Sequence, residues 1–215
     1  MKKWLIIGLG LVAVIAAGIW YYTTFDEAES QDSPYRSMPA QVGICAEFEN
    51  LAMLSASLDE SAYGFLIKST DVWFELERDV QLLDTLFIKG LGQKGTGRVI
   101  CGWFPRNDEI IPLYILKLEL GEKEFSDALM NQNHPDYTIE KSMLINREMI
   151  DISRSDQNLT FHAITSGSNL ILSRDVKLLE LSQNAMEQTG SLNEVAGFQQ
   201  VMEKTKGKGD FRLYL

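Results

Sequence analysis

Cysteine and histidine are scarce, with two of each in 215 residues. That scarcity excludes a disulfide-dense scaffold, a four-thiolate zinc site and any centre built from several imidazoles. Basic side chains are also in deficit, 20 against 30 acids, for a net charge of −10. An acidic chain repels phosphate backbones, so nucleic acid is not an expected partner. Neither a Walker-type phosphate loop nor the nucleophile elbow of the serine hydrolases occurs. What is present is globular in character: 23% charged and 10% aromatic residues, in a length that suits one ordinary domain or two small ones.

One stretch departs from the average. Residues 1–25 carry Lys2 and Lys3 and no acid, so the remainder of the chain holds −12. Trp4 to Phe25 is an uncharged run of 22 residues, and a bilayer-spanning helix takes about 20. Trp4 at one end and Trp20, Tyr21 and Tyr22 at the other have the spacing of interfacial belts. The lysines precede the run and Asp26, Glu27, Glu29 and Asp32 follow it, which predicts a cytoplasmic N-terminus. The expectation is an uncleaved transmembrane anchor over 1–25, with the bulk of the chain beyond the cytoplasmic membrane. A cleaved leader ending near Ala16, Ala17 and Gly18 is the rival reading. Residues 26–39 read as an acidic tether, and 40–215 as the folded domain, continuing beyond the chain end because Phe211 to Leu215 reads as a strand with no polar tail.

Within the domain, Val42, Ile44, Ala46 and Phe48 alternate with Gly43, Cys45, Glu47 and Glu49, a half-buried strand. Asn50 caps a predicted short helix with Leu51, Leu54 and Leu58. Trp73, Leu76, Val80, Leu83 and Phe87 make one apolar stripe on a helix from about Thr70 to Ile88, with Glu75, Glu77, Arg78 and Asp79 turned away. Arg98–Phe104 and Glu109–Leu120 form a hairpin around Pro105–Asp108. A helix over 122–132 follows. Leu144–Ser153 and Leu159–Ser173 form a second hairpin, its second arm broken at Ser166-Gly167-Ser168. Ser173 or Asp175 caps a helix with Leu178 and Leu181, and 192–204 is another. The repeated order of two strands and a helix suggests an internal duplication. The predicted class is α+β: an antiparallel or mixed sheet built from hairpins, helices packed on one face, preceded by one N-terminal transmembrane helix.

Several segments carry a resemblance. They are the Met-Lys-Lys start, the acidic tether, Pro39-Ala40-Gln41-Val42, Asp71-Val72-Trp73-Phe74-Glu75-Leu76, Ser168 to Arg174 and Val195 to Val201. In this order they resemble an uncharacterised family of membrane-anchored Bacteroidota envelope proteins, a domain of unknown function. The resemblance implies an extracytoplasmic domain with longer relatives, and it supplies no catalytic residues.

The candidate chemistry is sparse. Gly90, Gly92 and Gly95 match GxGxxG, but between a helix and a strand, the reverse of a dinucleotide site, so a loop is expected. His134 precedes Pro135 in a polar loop and His162 lies in a strand, neither with a partner at metal-ligand spacing. Cys45 and Cys101 lie in predicted strands, as buried thiols or, if the strands are neighbours, a bridge. Glu47 and Glu49 share a strand face, which suits solvated carboxylates more than a glycosidase pair. Asn158-Leu159-Thr160 fits an N-glycan sequon and Asp84-Thr85-Leu86 a short O-glycan motif. Lys204, Lys206 and Lys208 are a solvated basic cluster. No catalytic, cofactor-binding or metal residue is therefore assigned. The functional expectation is a non-enzymatic binding or structural module of the bacterial cell envelope. It would be held in the inner membrane by its N-terminal helix and would meet an envelope protein or lipid partner. A carrier of lipid or another hydrophobic ligand is the alternative, and an envelope hydrolase ranks below it.

Overall fold

The computed structural model describes residues 33–48, 56, 59–60, 64–89, 99–106, 109–118, 120–132, 134–154, 159–205 and 211–214. Among these, no helix is long and apolar enough to cross a membrane. The predicted anchor, the acidic part of the tether, the helix after Asn50 and the glycine loop Gly90–Gly95 lie outside them.

The alternating segment after Gly43 is strand β1, Ile44–Phe48. Two hairpin arms form β2, Val99–Arg106, and β3, Glu109–Lys117. A meander follows: β4, Tyr137–Leu144; β5, Arg147–Arg154; β6, Leu159–Ser166; and β7, Asn169–Ser173. The chain closes with β8, Phe211–Tyr214. They form one eight-stranded sheet in the order β4-β5-β6-β7-β3-β2-β1-β8, with every neighbour antiparallel. The helices are α1, Gly64–Lys68; α2, Asp71–Leu83, continued by a π turn over Asp84–Lys89; α3, Glu122–Met130; α4, Val176–Glu187; and α5, Ala196–Thr205. Thr70 caps α2 by accepting the Trp73 N–H, and Asp175 caps α4 by accepting the Lys177 N–H, each satisfying a donor that a helix start leaves free.

The expected α+β class and antiparallel sheet are present, but the helices cover both faces. On one face the α2 stripe of Trp73, Leu76, Val80, Leu83 and Phe87 packs with Phe125 and Leu129 of α3 on Phe48, Leu116, Phe161 and Leu172. Phe87 and Phe125 stack with ring centroids 5.7 Å apart. On the other face Leu178 and Leu179 of α4 and Phe198 of α5 pack on Ile100, Leu113, Ile115 and Ile171. The reason is visible in the central strands. Leu113 to Leu116 and all of β7 are buried without alternation, and a strand apolar on both sides needs cover on both sides. At about 1.5–3 kcal/mol for each large apolar side chain removed from water, neither layer is dispensable.

Two boundaries differ from expectation. Residues 34–39, read as tether, belong to the unit Pro34–Leu215. A 3-10 turn over Pro34–Ser37 buries Tyr35, and Met38 is fully buried. Backbone bonds from Leu192 N–H to Met38 C=O and from Ala40 N–H to Gly190 C=O hold this strap beside the loop before α5. Tyr35 and Met38 are apolar anchors dispersed among prolines and serines, too few to show periodicity. Met38 lies on Gly102, where a Cβ would fall 2.4 Å from its sulfur, so only glycine leaves β2 open to the strap. The second difference is β4, which the sequence reading passed over. It is a polar edge strand with Glu140 and Lys141 exposed. Its turn into β5 uses Ile145 at φ 55° in place of a glycine-type turn residue. With β4 present, the second half is a four-stranded meander before α4, which does not repeat the β2–β3–α3 unit.

The cysteines are settled by register. Cys45 pairs with Gly102 and Cys101 with Ala46, so adjacent strands carry them. Successive side chains alternate between faces, and Cys45 joins the α4–α5 side while Cys101 joins the α2 side. Both are buried free thiols. Burial, then the nearby Glu47 charge, pushes the Cys45 thiol up to about 12, and burial pushes Cys101 well above its usual value. Thiolate is the reactive form. Maleimide at pH 8 should therefore add nothing to the folded chain and two labels after denaturation, read by intact mass; a loss of two hydrogens in place of labelling would contradict this geometry.

Candidate functional site

A cleft of about 850 Å³ opens where β7 ends. It lies against the start of β3 (Glu109 to Pro112), the first turn and a half of α2 (Val72 and Glu75), and the β7–α4 junction (Arg174 to Lys177). Half of its lining is apolar and half is charged.

Arg174 of the cleft lining is held by an acid that the helical pattern places in solvent. Asp79 is fully buried. Tyr114 of β3 donates its hydroxyl to Asp79 Oδ2 at 2.9 Å, and the Arg174 guanidinium donates to Asp79 Oδ1. Arg174 also approaches Glu75 at 3.7 Å and lies 5.3 Å from the Phe161 ring centroid. Arg78 lies 3.6 Å from the same carboxylate. One carboxyl group thus ties α2, β3 and the end of β7. Burial raises the Asp79 carboxyl above its ordinary value, against the opposing pull of Arg174, the Tyr114 hydrogen bond and Arg78. Burial likewise drives the Tyr114 hydroxyl upward, reinforced by the neighbouring Cys101 and Asp79. Asp175, one residue past Arg174, is paired with Arg106 of β2.

The residues singled out from sequence fall elsewhere. His162 has an acidic partner after all: Nδ1 is 2.6 Å from Asp151 Oδ1 on the neighbouring strand. The pair comes from the β5–β6 register, Asp151 opposite His162, which sequence spacing does not reveal. Ser173 is opposite His162 on the next strand, so serine, histidine and aspartate share a row. They do not form a catalytic relay. Ser173 is fully buried, its hydroxyl donates to Pro112 C=O at 2.9 Å, and it accepts from the Asp175 N–H. His134 packs its ring against Tyr137. Glu47, expected on a wet face, is buried and accepts the Tyr35 hydroxyl at 2.7 Å; the strap covers that face, and Glu49 lies outside the described residues. Thr85 of the O-glycan motif gives its hydroxyl to Gln81 C=O inside the helix. Lys204 is exposed; Asn158, Lys206 and Lys208 lie outside the described residues. Among the described residues, no three His, Cys, Asp or Glu side chains gather as metal ligands would.

In comparisons with known proteins, the chain matches no family model, no curated protein and no solved structure.

The Asp79 cluster generates a stability prediction. Removing Arg174 leaves a buried carboxylate short of its charge partner, so Arg174→Gln should cost about 3 kcal/mol. Adding Asp79→Asn, which keeps an acceptor for Tyr114, should recover at least about 1 kcal/mol, a coupling that urea unfolding resolves. The pH dependence has a fixed sign. Asp79 with a raised folded value holds a proton that the unfolded chain releases, so its contribution falls as pH climbs from about 4 through that raised value. Asp79→Asn should flatten this limb. Additive single effects would contradict the cluster.

Proposed function

We propose that the chain is a membrane-anchored extracytoplasmic module of the bacterial envelope that binds a partner through the cleft at the end of β7. The observation that carries the reading is the cleft's make-up: apolar side chains at Val72, Ile110 and Val176, charged side chains among them, and an Arg174 fixed by the buried Asp79. Rigid placement of mixed apolar and polar groups is what selective binding requires. Two acids of the lining each face an arginine, Glu75 with Arg174 and Asp175 with Arg106, an arrangement suited to holding shape. The charged half of the lining weighs against the carrier reading, since an acyl chain needs an apolar enclosure. On both faces the sheet is already filled by side chains, Tyr114, Phe87, Phe125 and Phe161 on one and Met38, Ile100, Leu113 and Ile115 on the other. The anchor and the envelope location rest on residues 1–25 and on the family resemblance described above.

The test is retention of an envelope component by the full chain in membranes after mild cross-linking. The expected result is a stable partner whose yield falls at least about tenfold when Val72→Arg fills the cleft, a loss of roughly 1.4 kcal/mol. Turnover of a substrate with no retained partner, or equal retention by the variant, would overturn the proposal.

A further inference from the structure

Among the described residues, the cleft contains an unpaired strand edge. Trp103 C=O of β2 accepts the Gly43 N–H, so it points toward β1 and away from β3. Trp103 is opposite Pro112 and Pro105 opposite Ile110, and bonded and unbonded pairs alternate along an antiparallel ladder. Both prolines thus occupy positions where the hairpin needs no N–H. It follows that Pro112 and Ile110 direct their backbone groups to the other side, toward β7. Two observations agree. Leu118 N–H bonds Ser168 C=O across that side, an even-numbered residue like Ile110. Pro112 C=O receives the Ser173 hydroxyl. β7 then stops at Ser173, opposite Leu113, and the chain turns into α4. Among the described residues Ile110, half-exposed, has no backbone partner on that side, and its N–H and C=O face the cleft.

The cleft also lies on both sides of this edge. Ile110 shares the α2 face with Tyr114, beside Val72 and Glu75, whereas Ile111 faces the α4 layer beside Val176 and Lys177. An added strand places alternate side chains on opposite faces, and here each face has an apolar wall to receive them. Arg174 is engaged by Asp79 and Asp175 by Arg106. The lining as a whole carries three acids, Glu75, Glu109 and Asp175, against two bases, Arg174 and Lys177, in a chain with net charge −10. We infer that the cleft's ligand is an extended, basic polypeptide segment of a partner protein. It adds alongside Glu109–Pro112 by main-chain pairing to Ile110, with apolar residues at alternate positions. The inference rests on the binding-module reading and specifies its partner.

The test uses the full chain in detergent and three fluorescein-labelled octapeptide libraries, each with an apolar residue at every second position and basic, neutral or acidic residues between. The basic library should bind best. Binding should fall about tenfold on Ile110→Pro, and by a similar factor when the library is N-methylated on one set of alternate residues, as loss of a main-chain hydrogen bond predicts. Ile110→Pro removes a donor that β2 does not use, so its melting temperature should stay near that of the parent, and the Ile110 amide of the parent should exchange more slowly with peptide bound. No binding by any library, preference for the acidic one, or indifference to both backbone blocks would overturn the inference. So would self-association of the chain that Ile110→Pro abolishes, because a second copy would then own the edge. An envelope partner lost with Val72→Arg but kept by Ile110→Pro would sink strand pairing while leaving the binding module standing; absence of any retained partner would remove the module itself.

Discussion

The arrangement depends on one buried charge. Asp79 points from α2 into the sheet, and Arg174, the residue just after β7, comes back to meet it, with Tyr114 donating from β3. A carboxylate stripped of water is costly, and it persists only where charge and hydrogen bonds answer it. Apolar packing of α2 would tolerate small slips along the sheet. A bonded carboxylate does not. The pair therefore fixes where the helix sits and where β7 must stop, and the stop leaves β3 with an open edge and a cleft beside it.

The two layers have different histories in the chain. The α2–α3 layer is built from the segments that cross between β1 and β2 and between β3 and β4. The α4–α5 layer comes from the return to β8, which pairs with β1. The strap at Pro34–Pro39 belongs to this second layer, with Ser182 of α4 donating to Ser37 C=O at 2.5 Å and Tyr35 edge-on to Phe198, centroids 4.9 Å apart. The strap thus packs against α4 and α5, while the cleft opens beside the starts of α2 and α4.

Much of this was legible in the sequence where a periodic signal exists. The α2 stripe, both hairpins, the break at Gly167 and the capping by Asp175 follow from spacing and turn chemistry. The misses share a cause. Asp79, Glu47, Tyr35 and His162 acquire their roles from partners 35, 12, 12 and 11 residues away, through register that no local pattern encodes. Asp79 read as solvent-facing because charged residues surround it. Glu47 read as wet because the strap that covers it looked like linker. The one-faced sheet was an inference from hairpins, yet Leu113 to Leu116 and Leu170 to Leu172 already lacked the alternation that a half-solvated strand shows. The cleft left no sequence signal at all, since it arises from where one strand ends relative to its neighbour.

The central claim is that the Asp79–Arg174 pair locks α2 and the β3 edge in place. Native-state amide exchange of Arg174→Gln against the parent chain tests it most directly. The account predicts faster exchange across α2 and Glu109 to Ile111, with protection kept in the β4–β5 hairpin on the far side of the sheet. Equal loss throughout the domain, or no change in α2, would contradict it.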